Sequence, residues 1–569
     1  MKNLDYSKCF ENNKTELIAP VRIKSEENVL FSQDLIGNRK FQVALRIKPR
    51  CVIKSGGYIL LDYGKELYGG IRPVCGEILD KEGNFVLAKL HLTFGESLTE
   101  TCSELGEKNS GNYHSMRDFT VNMTTNSYEV FGTTGFRFVK IENVGENDIT
   151  LAAVPAINCY FGAERKGEFE CDDKVVNDIF ATAAHTLELC IQNGYIWDGA
   201  KRDRCVWVGD MHPEVLAAFM IYGKIDEVKN SLEFALESTP DGEWLNMIPA
   251  YSLWYIMLVY EYDRSSGEKE FGKSVKHYIE IILKRFDNSL SEDGTYSVSF
   301  GKNLKFYSKN DTFFDWPTNF TDDSEYGVRA LMIIAFDYAE KMYADDEKLI
   351  ALCESLKSRV LKKNDFESEY KQVVAMRVIA GVENEKTAAE TLVKGDAAGL
   401  GTFMSYYILK AIADLGMYDK AFDIMKQYYG GMLSMGATTF WEDFDIKWMD
   451  GSARIDEFPK KGQKDIHGDF GKYCYKGFRH SLCHGWSVGV IPYLFEYVLG
   501  VQPSDDGFRK VYIEPHLGTL CYAKGKIPTP YGVIDIEHRK DASGNITTRC
   551  SAPRGIKILS DSQEKNDAK

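Results

Sequence analysis

Three carboxylates, three cations and two tryptophans crowd into residues 197–210: Trp197, Asp198, Lys201, Arg202, Asp203, Arg204, Trp207 and Asp210. Carboxylates that take up or donate protons need charged neighbours to set their pKa values. Tryptophan faces supply flat apolar walls of the kind that sugar rings stack against. Together these residues point to acid–base chemistry on a carbohydrate. The stretch falls between two helical patterns, so it reads as a loop whose neighbours must hold it in place.

Those neighbours change character twice along the chain. From about residue 20 to 165 the apolar residues alternate in short runs. Residues 58–64, 88–96 and 136–142 read as strands running into turns, which predicts an antiparallel β-sandwich. Near Asp172 the period switches from 2 to 3.6. Val176, Ile179, Phe180, Ala183, Leu187, Cys190 and Ile191 share one helix face, and Asp172 or Asp173 can cap it. Helical patterns follow near 173–193, 211–222, 224–238, 249–263, 269–288, 323–343, 345–363, 366–380, 384–394, 399–414, 417–430 and 480–499, with a hairpin expected around 295–308. Twelve helices with short links suit a closed ring better than a four-helix bundle, and twelve is the number an (α/α)6 barrel needs. After Pro503 the β pattern returns, with a hairpin turn at 541–545. The expected organisation is multidomain: an N-terminal antiparallel β-sandwich over 1–168, an (α/α)6 barrel catalytic domain over 169–502, and a small C-terminal β-domain over 503–569.

Composition removes several function classes. A chain of 569 residues needs more than one core. A net charge of -15 argues against a nucleic-acid partner, which calls for a basic patch. The 13 cysteines include no Cys-x-x-Cys pair, so neither a zinc knuckle nor a disulfide framework is indicated. Thiols used this freely suit a reducing compartment. No His and carboxylate cluster has metal-ligand spacing, so neither metal nor cofactor is expected. No apolar window reaches the roughly 18 residues of a membrane span. Residues 1–6, MKNLDY, lead into no apolar signal segment. The expectation is a cytoplasmic enzyme with a small-molecule partner; a homo-oligomer stays open.

The order of the domains and three motifs then resemble glycoside hydrolase family 78, the α-L-rhamnosidases. The family's loop begins with Asp, passes through an Arg-rich stretch to an acidic residue and closes with Trp-x-Gly-Asp. Here that is Asp198, then Lys201-Arg202-Asp203-Arg204, then Trp207-Val208-Gly209-Asp210. A second signature, Gly-Ala-Thr-Thr-x-Trp-Glu, stands at 436–442, and a third region carries His484 in Ser481-Leu482-Cys483-His484-Gly485-Trp486. The resemblance implies a hydrolase that inverts configuration, with two carboxyl groups roughly 6.5–9.5 Å apart and a water between them. It implies Asp203 as general acid and Glu442 as general base. Asp198 and Asp210 would hold sugar hydroxyls, and Arg202, Trp207, Trp254, Trp316, Trp441 and His484 would complete the substrate pocket.

Clustered charge from Asp198 and Asp210 would raise the pKa of Asp203, as a general acid needs, and Arg202 and Arg204 would oppose that if they point inward. Two departures stand out. Asp203 occupies a position where the family most often has Glu, and Cys483 precedes His484 where the family usually has Asn. The implied function is release of terminal α-L-rhamnose, or a similar deoxysugar, from small glycosides or oligosaccharides. The alternatives are a related barrel glycosidase or phosphorylase of other specificity, and a non-catalytic sugar binder. Asp322 and Asp323 read as a helix cap, His212 and Glu214 as the start of a helix, and Cys205 as an inert small hydrophobe.

Overall fold

The helical period carries through to the three-dimensional structure for most of the expected helices, although Lys371–Ile379 and Ser405–Asp414 begin five and six residues later than the pattern. The computed structural model describes residues 11–44, 50–127, 129–298, 312–364, 366–504 and 507–559. Its helices include Lys174–Cys190, Met211–Tyr222, Asp226–Glu237, Pro249–Ser266, Glu270–Ser289 and Asp323–Met342. Asp173 caps the first of these, its carboxylate accepting from the amides of Val175 at 2.8 Å and Val176 at 3.3 Å. The hairpin expected around 295–308 lies largely outside the described residues; within them Leu290 bridges Tyr296.

Six helices close into a ring. Met211–Tyr222, Pro249–Ser266, Asp323–Met342, Lys371–Ile379, Ser405–Asp414 and Val490–Tyr493 each pack on the next, and the last returns to the first. Burial explains who sits inside. All residues of Met211–Tyr222 are buried, whereas Glu270–Ser289 buries a single stripe made of Phe271, Val275, Ile279, Ile282, Leu283 and Phe286. An all-round apolar helix belongs within a core, and an amphipathic one belongs outside. The twelfth helix, expected over 480–499, is broken into a 3-10 turn at Gly485–Gly489, an α-turn at Val490–Tyr493 and a π-turn at Leu494–Val498. Pro492 supplies no amide hydrogen and its ring crowds the preceding turn, so a regular ladder cannot run through it.

The N-terminal residues form a nine-stranded antiparallel sheet organised around the long strand Cys51–Ile71. Successive residues Ile59 to Tyr63 are buried, so both faces of that strand are covered. At an irregularity in its pairing, Asp62 takes Arg137 at 3.0 Å, and the same guanidinium donates to the Gly436 carbonyl at 3.2 Å. That contact ties the sheet to the barrel. At the other end, Tyr522–Thr529, Gly532–Lys540 and Ile546–Ser551 form an antiparallel sheet. Glu168–Cys171 adds a fourth strand to it, so the segment expected to divide sandwich from barrel pairs with the C-terminal sheet instead.

The ring has a consequence for chemistry. Asp198, Asp203 and Asp210 precede the inner helix Met211–Tyr222. Trp316 precedes Asp323–Met342, Phe403 precedes Ser405–Asp414, and Glu442 and His484 precede the final helix. Asp198 and His484, 286 positions apart in sequence, therefore meet at one mouth, where the inner helices begin. Helix N-termini carry partial positive charge, which favours carboxylates gathered there.

Candidate active site

Two loops are zipped together by their backbones at that mouth. The Gly485 amide donates to the Asp198 carbonyl at 2.6 Å and the Ala200 amide to the Cys483 carbonyl at 3.2 Å, and Gly199 pairs with His484 as an antiparallel bridge. A Cβ at 485 would lie 1.3 Å from Glu214 Oε1, so any other residue there requires that buried carboxylate to move. The zipper sets His484 among three acids: its Nε2 is 3.8 Å from Asp198, 4.0 Å from Asp210 and 3.9 Å from Glu442. Burial, with Arg202 nearby, pushes the imidazole well below its ordinary pKa and keeps it neutral.

Glu442 is held from four directions. Its Oε2 accepts from the Ser481 amide at 3.0 Å, and Arg202 Nη2 donates to its Oε1. Its carbonyl accepts from Trp486 Nε1 at 2.8 Å and from Thr402 Oγ1 at 2.5 Å. The second nitrogen of the same guanidinium, Arg202 Nη1, lies 3.2 Å from Asp203 Oδ2. One buried arginine thus joins the two carboxylates implied as acid and base.

Asp203 and Arg204 both adopt left-handed backbone conformations, with φ of 57° and 55°. These two turns send consecutive side chains in different directions. Arg202 points inward to the carboxylates. Arg204 points away, donating to the Thr133 carbonyl at 3.1 Å and to the His114 carbonyl. Asp203 Oδ1 lies 3.1 Å from Nε2 of His114, a residue of the N-terminal domain.

The buried acids are strongly perturbed. Burial, then the charges of Asp203 and Asp210, pushes Asp198 well above the carboxylate range. Burial likewise raises Asp210 to about 7, although Tyr251 Oη donates to it at 3.1 Å. Such groups can accept a sugar hydroxyl when ionised and donate to one when protonated. A stability prediction follows. Folded Asp210 keeps its proton up to about pH 7, while its ordinary pKa is 3.8. Native stability therefore falls as pH rises between those values. Asp210→Asn, which does not titrate, is expected to be more stable than wild type at pH 8 by up to about 4 kcal/mol. The gap should close toward pH 4. Urea midpoints at the two pH values check this, and a variant less stable at pH 8 contradicts it.

The aromatic candidates part company. Trp316 lines a cleft of about 550 Å³ that also takes in Glu442, Tyr251, Phe403 and Trp486, and it stacks on Tyr473 at 5.9 Å. Trp207 is half-buried and meets Tyr251 edge-on at 6.1 Å. Trp254 and Trp441 are placed elsewhere: with 0% and 1% exposure they lie in the core, Trp254 beneath Phe403 and Trp441 against Phe444. Tyr251, one helical turn before Trp254, and Trp486, two residues after His484, line the cleft instead, together with Trp448, Tyr473 and Tyr475. Tyr251 and Trp486 could have been picked out from the same short motifs. No sequence signal marked His114.

Among the described residues one cluster has the makeup of a cation site: Glu96, Glu100 and His467. Its cation is Lys201, whose Nζ is 2.8 Å from Glu96 and 3.0 Å from Glu100. Both nitrogens of His467 are engaged, by Ser97 Oγ at 2.8 Å and the His480 carbonyl at 2.9 Å.

Comparison with known proteins agrees with this architecture. Residues 164–288 match the bacterial α-L-rhamnosidase six-hairpin glycosidase domain, and residues 500–559 match the bacterial α-L-rhamnosidase C-terminal domain. An α-L-rhamnosidase of Alteromonas sp. (strain LOR) is 32% identical over 99 residues, which is 16% of this chain and 11% of that protein. The fold is similar to that of a GH78 family rhamnosidase of Bacillus sp. GL1, with a TM-score of 0.68 and 18% identity over 91% of this chain and 54% of the other. A rhamnosidase from Klebsiella oxytoca with rhamnose bound gives 0.64 and 17% over 86% and 97%. A Streptomyces avermitilis α-L-rhamnosidase complexed with L-rhamnose gives 0.66 and 15% over 95% and 50%. The chain therefore spans about half the length of the Bacillus and Streptomyces proteins and a small part of the Alteromonas one.

Proposed function

We propose that this chain, which carries the six-hairpin glycosidase and C-terminal domains of the bacterial α-L-rhamnosidases, is an inverting glycoside hydrolase that releases terminal α-L-rhamnose, or a similar deoxysugar, from a small glycoside or oligosaccharide. The observation that carries the reading is the meeting of Asp198, Asp203, Asp210 and Glu442 around His484 and Arg202 at the mouth of the helix ring. Asp203 gives its proton to the glycosidic oxygen as the bond to the anomeric carbon breaks. Glu442 takes a proton from the water that attacks the opposite face. Asp198, Asp210 and neutral His484 hold ring hydroxyls, and Trp316, Trp486 and Trp207 supply apolar surface.

A phosphorylase would need cationic side chains such as Arg202 and Arg204 free to bind phosphate. The first is committed to Glu442 and Asp203 and the second to carbonyls of the N-terminal domain, which favours hydrolysis. Cytoplasmic residence is supported by thiol chemistry, since every cysteine among the described residues is free. Among those residues no helix is long and apolar enough to cross a membrane.

The test is proton NMR of the reaction with p-nitrophenyl α-L-rhamnoside. The expected first product is β-L-rhamnose, formed without phosphate. Release of the α-anomer overturns the inverting mechanism. Absence of rhamnose release from a panel of rhamnosides, with another glycoside turned over, overturns the sugar assignment.

A further inference from the structure

The residue facing the far side of Asp203 belongs to a different domain. His114 lies in the segment that joins the short helix Leu98–Cys102 to the strand Asp118–Met123 of the N-terminal sheet. Its Nε2 is 3.1 Å from Asp203 Oδ1, while Arg202 takes Oδ2. The placement is built from both sides. Arg204 donates to the carbonyl of His114, and Ser115 Oγ lies within hydrogen-bond distance of both the carbonyl of Lys201, at 3.2 Å, and Thr134 Oγ1, at 2.9 Å. Behind them buried Arg117 binds the carbonyls of Phe94, Glu100 and Ser103. Lys201, Asp203 and Arg204 of the catalytic loop are thus locked to His114 and Ser115 of the N-terminal domain around one carboxyl–imidazole contact. The imidazole keeps about a third of its surface in solvent, whereas Glu442, Asp198 and Asp210 have almost none.

We infer that His114 is a positioning residue for the general acid, holding Asp203 from the N-terminal domain and returning its proton after each turnover. The inference rests on the reading of Asp203 as the acid. In each cycle Asp203 loses a proton to the leaving oxygen, which keeps the electron pair of the broken bond. The attacking water leaves a proton on Glu442, and Glu442 releases it to solvent. Asp203 must then regain one. Solvent protonates the exposed imidazole at Nδ1, the proton on Nε2 passes to Oδ1, and exchange of the ring proton with solvent, off Nδ1 and onto Nε2, returns the imidazole to its starting tautomer, so each cycle consumes only one water. The charged groups facing His114 are Asp203, Arg202 and Arg204 from the catalytic loop and Arg479 from the loop before the last helix; burial and the three cations hold the imidazole below its ordinary pKa, against the pull of Asp203. A shorter acid at 203 fits the arrangement, since the segment carrying His114 comes to meet it.

Acid catalysis matters most when the leaving group is poor, and this separates a proton-handling role from a structural one. The experiment compares wild type, Asp203→Asn, His114→Ala and His114→Gln on methyl and 2,4-dinitrophenyl α-L-rhamnosides. His114→Ala and His114→Gln are expected to lose about 10–100-fold in kcat on the methyl glycoside and less than about threefold on the dinitrophenyl one, with KM unchanged. Glutamine can keep a contact to Asp203 but carries no exchangeable acid proton at this pH, so its failure on the methyl glycoside marks proton return. Equal losses on both substrates, or full activity of His114→Gln on the methyl glycoside, overturn the inference. If Asp203→Asn itself shows no leaving-group dependence, the acid assignment fails. Leaving-group dependence in Asp203→Asn without any in the His114 variants removes the role of His114 alone.

Discussion

Glu442→Gln is expected to lower turnover of every active rhamnoside by about 10²–10⁴-fold while the protein stays folded. The amide oxygen can still accept from the Ser481 amide, which lies 3.0 Å from Oε2. The backbone bonds to Trp486 and Thr402 do not involve the side-chain carboxylate at all. What disappears is the group that removes a proton from water. Because that step is the same for any aglycone, the loss should not depend on the leaving group, unlike the loss in Asp203→Asn. Arg202 gives up one charged partner and keeps Asp203, so the stability cost is that of one weakened buried bond, about 1–3 kcal/mol. Steady-state kinetics on nitrophenyl and alkyl rhamnosides, with thermal melting as the folding control, measure both effects. Retention of more than about a tenth of wild-type kcat in a folded variant would remove Glu442 from the base role, given that general-base catalysis is worth at least about 10²-fold.

The second large effect is on stability. Lys201→Met should destabilise the protein by about 3–5 kcal/mol near pH 8. The ammonium bridges Glu96 and Glu100, which have 0% and 1% exposure, and donates to the carbonyls of Phe478 at 3.0 Å and His480 at 2.6 Å. Methionine fills similar space but leaves two buried carboxylates without their cation. The deficit has a defined pH dependence. Burial already raises folded Glu96 to about 7 from an ordinary 4.5, with Lys201 opposing the rise, and losing the lysine raises it further. A raised carboxyl pKa means the folded state takes up a proton that the unfolded state does not, so stability recovers as pH falls from 8 toward 5. Denaturant midpoints at the two pH values should show most of the deficit at the higher one. A deficit of equal size at both would show that lost packing, and not unpaired charge, is responsible. The same carboxylates reach the catalytic loop's neighbours, Glu96 accepting from the Leu482 amide at 2.6 Å. Loss of Lys201 is therefore also expected to reduce kcat.

The helices were legible because each carries its evidence locally. Met211–Tyr222 matches the expected range 211–222, and Pro249–Ser266 and Asp323–Met342 begin where the pattern does. The last helix, expected as regular over 480–499, shows where period alone falls short: a proline at 492 is visible in sequence, but the mixture of 3-10, α and π turns it produces is settled by the packing around it. The strand Glu168–Cys171 shows the same limit for domain boundaries. Its partner lies some 350 residues later, and four residues carry no signal for so distant a pairing.

Taken by itself, the sequence determined which residue types were available for chemistry, which helices would form, and which motifs would stand at helix starts. Those features rest on neighbours within a few turns, and local periodicity and composition record them. The tertiary structure alone decided direction and company. Left-handed turns at Asp203 and Arg204 separate an inward Arg202 from an outward Arg204. Ring closure brings Glu442 and His484 to Asp198 across more than 240 residues. Burial takes Trp254 and Trp441 out of the cleft and leaves Tyr251 and Trp486 in it. The N-terminal sheet delivers His114 to the acid. Each of these depends on contacts between segments far apart in the chain, whose energy comes from packing and desolvation around the whole site, and no short window of sequence contains that information.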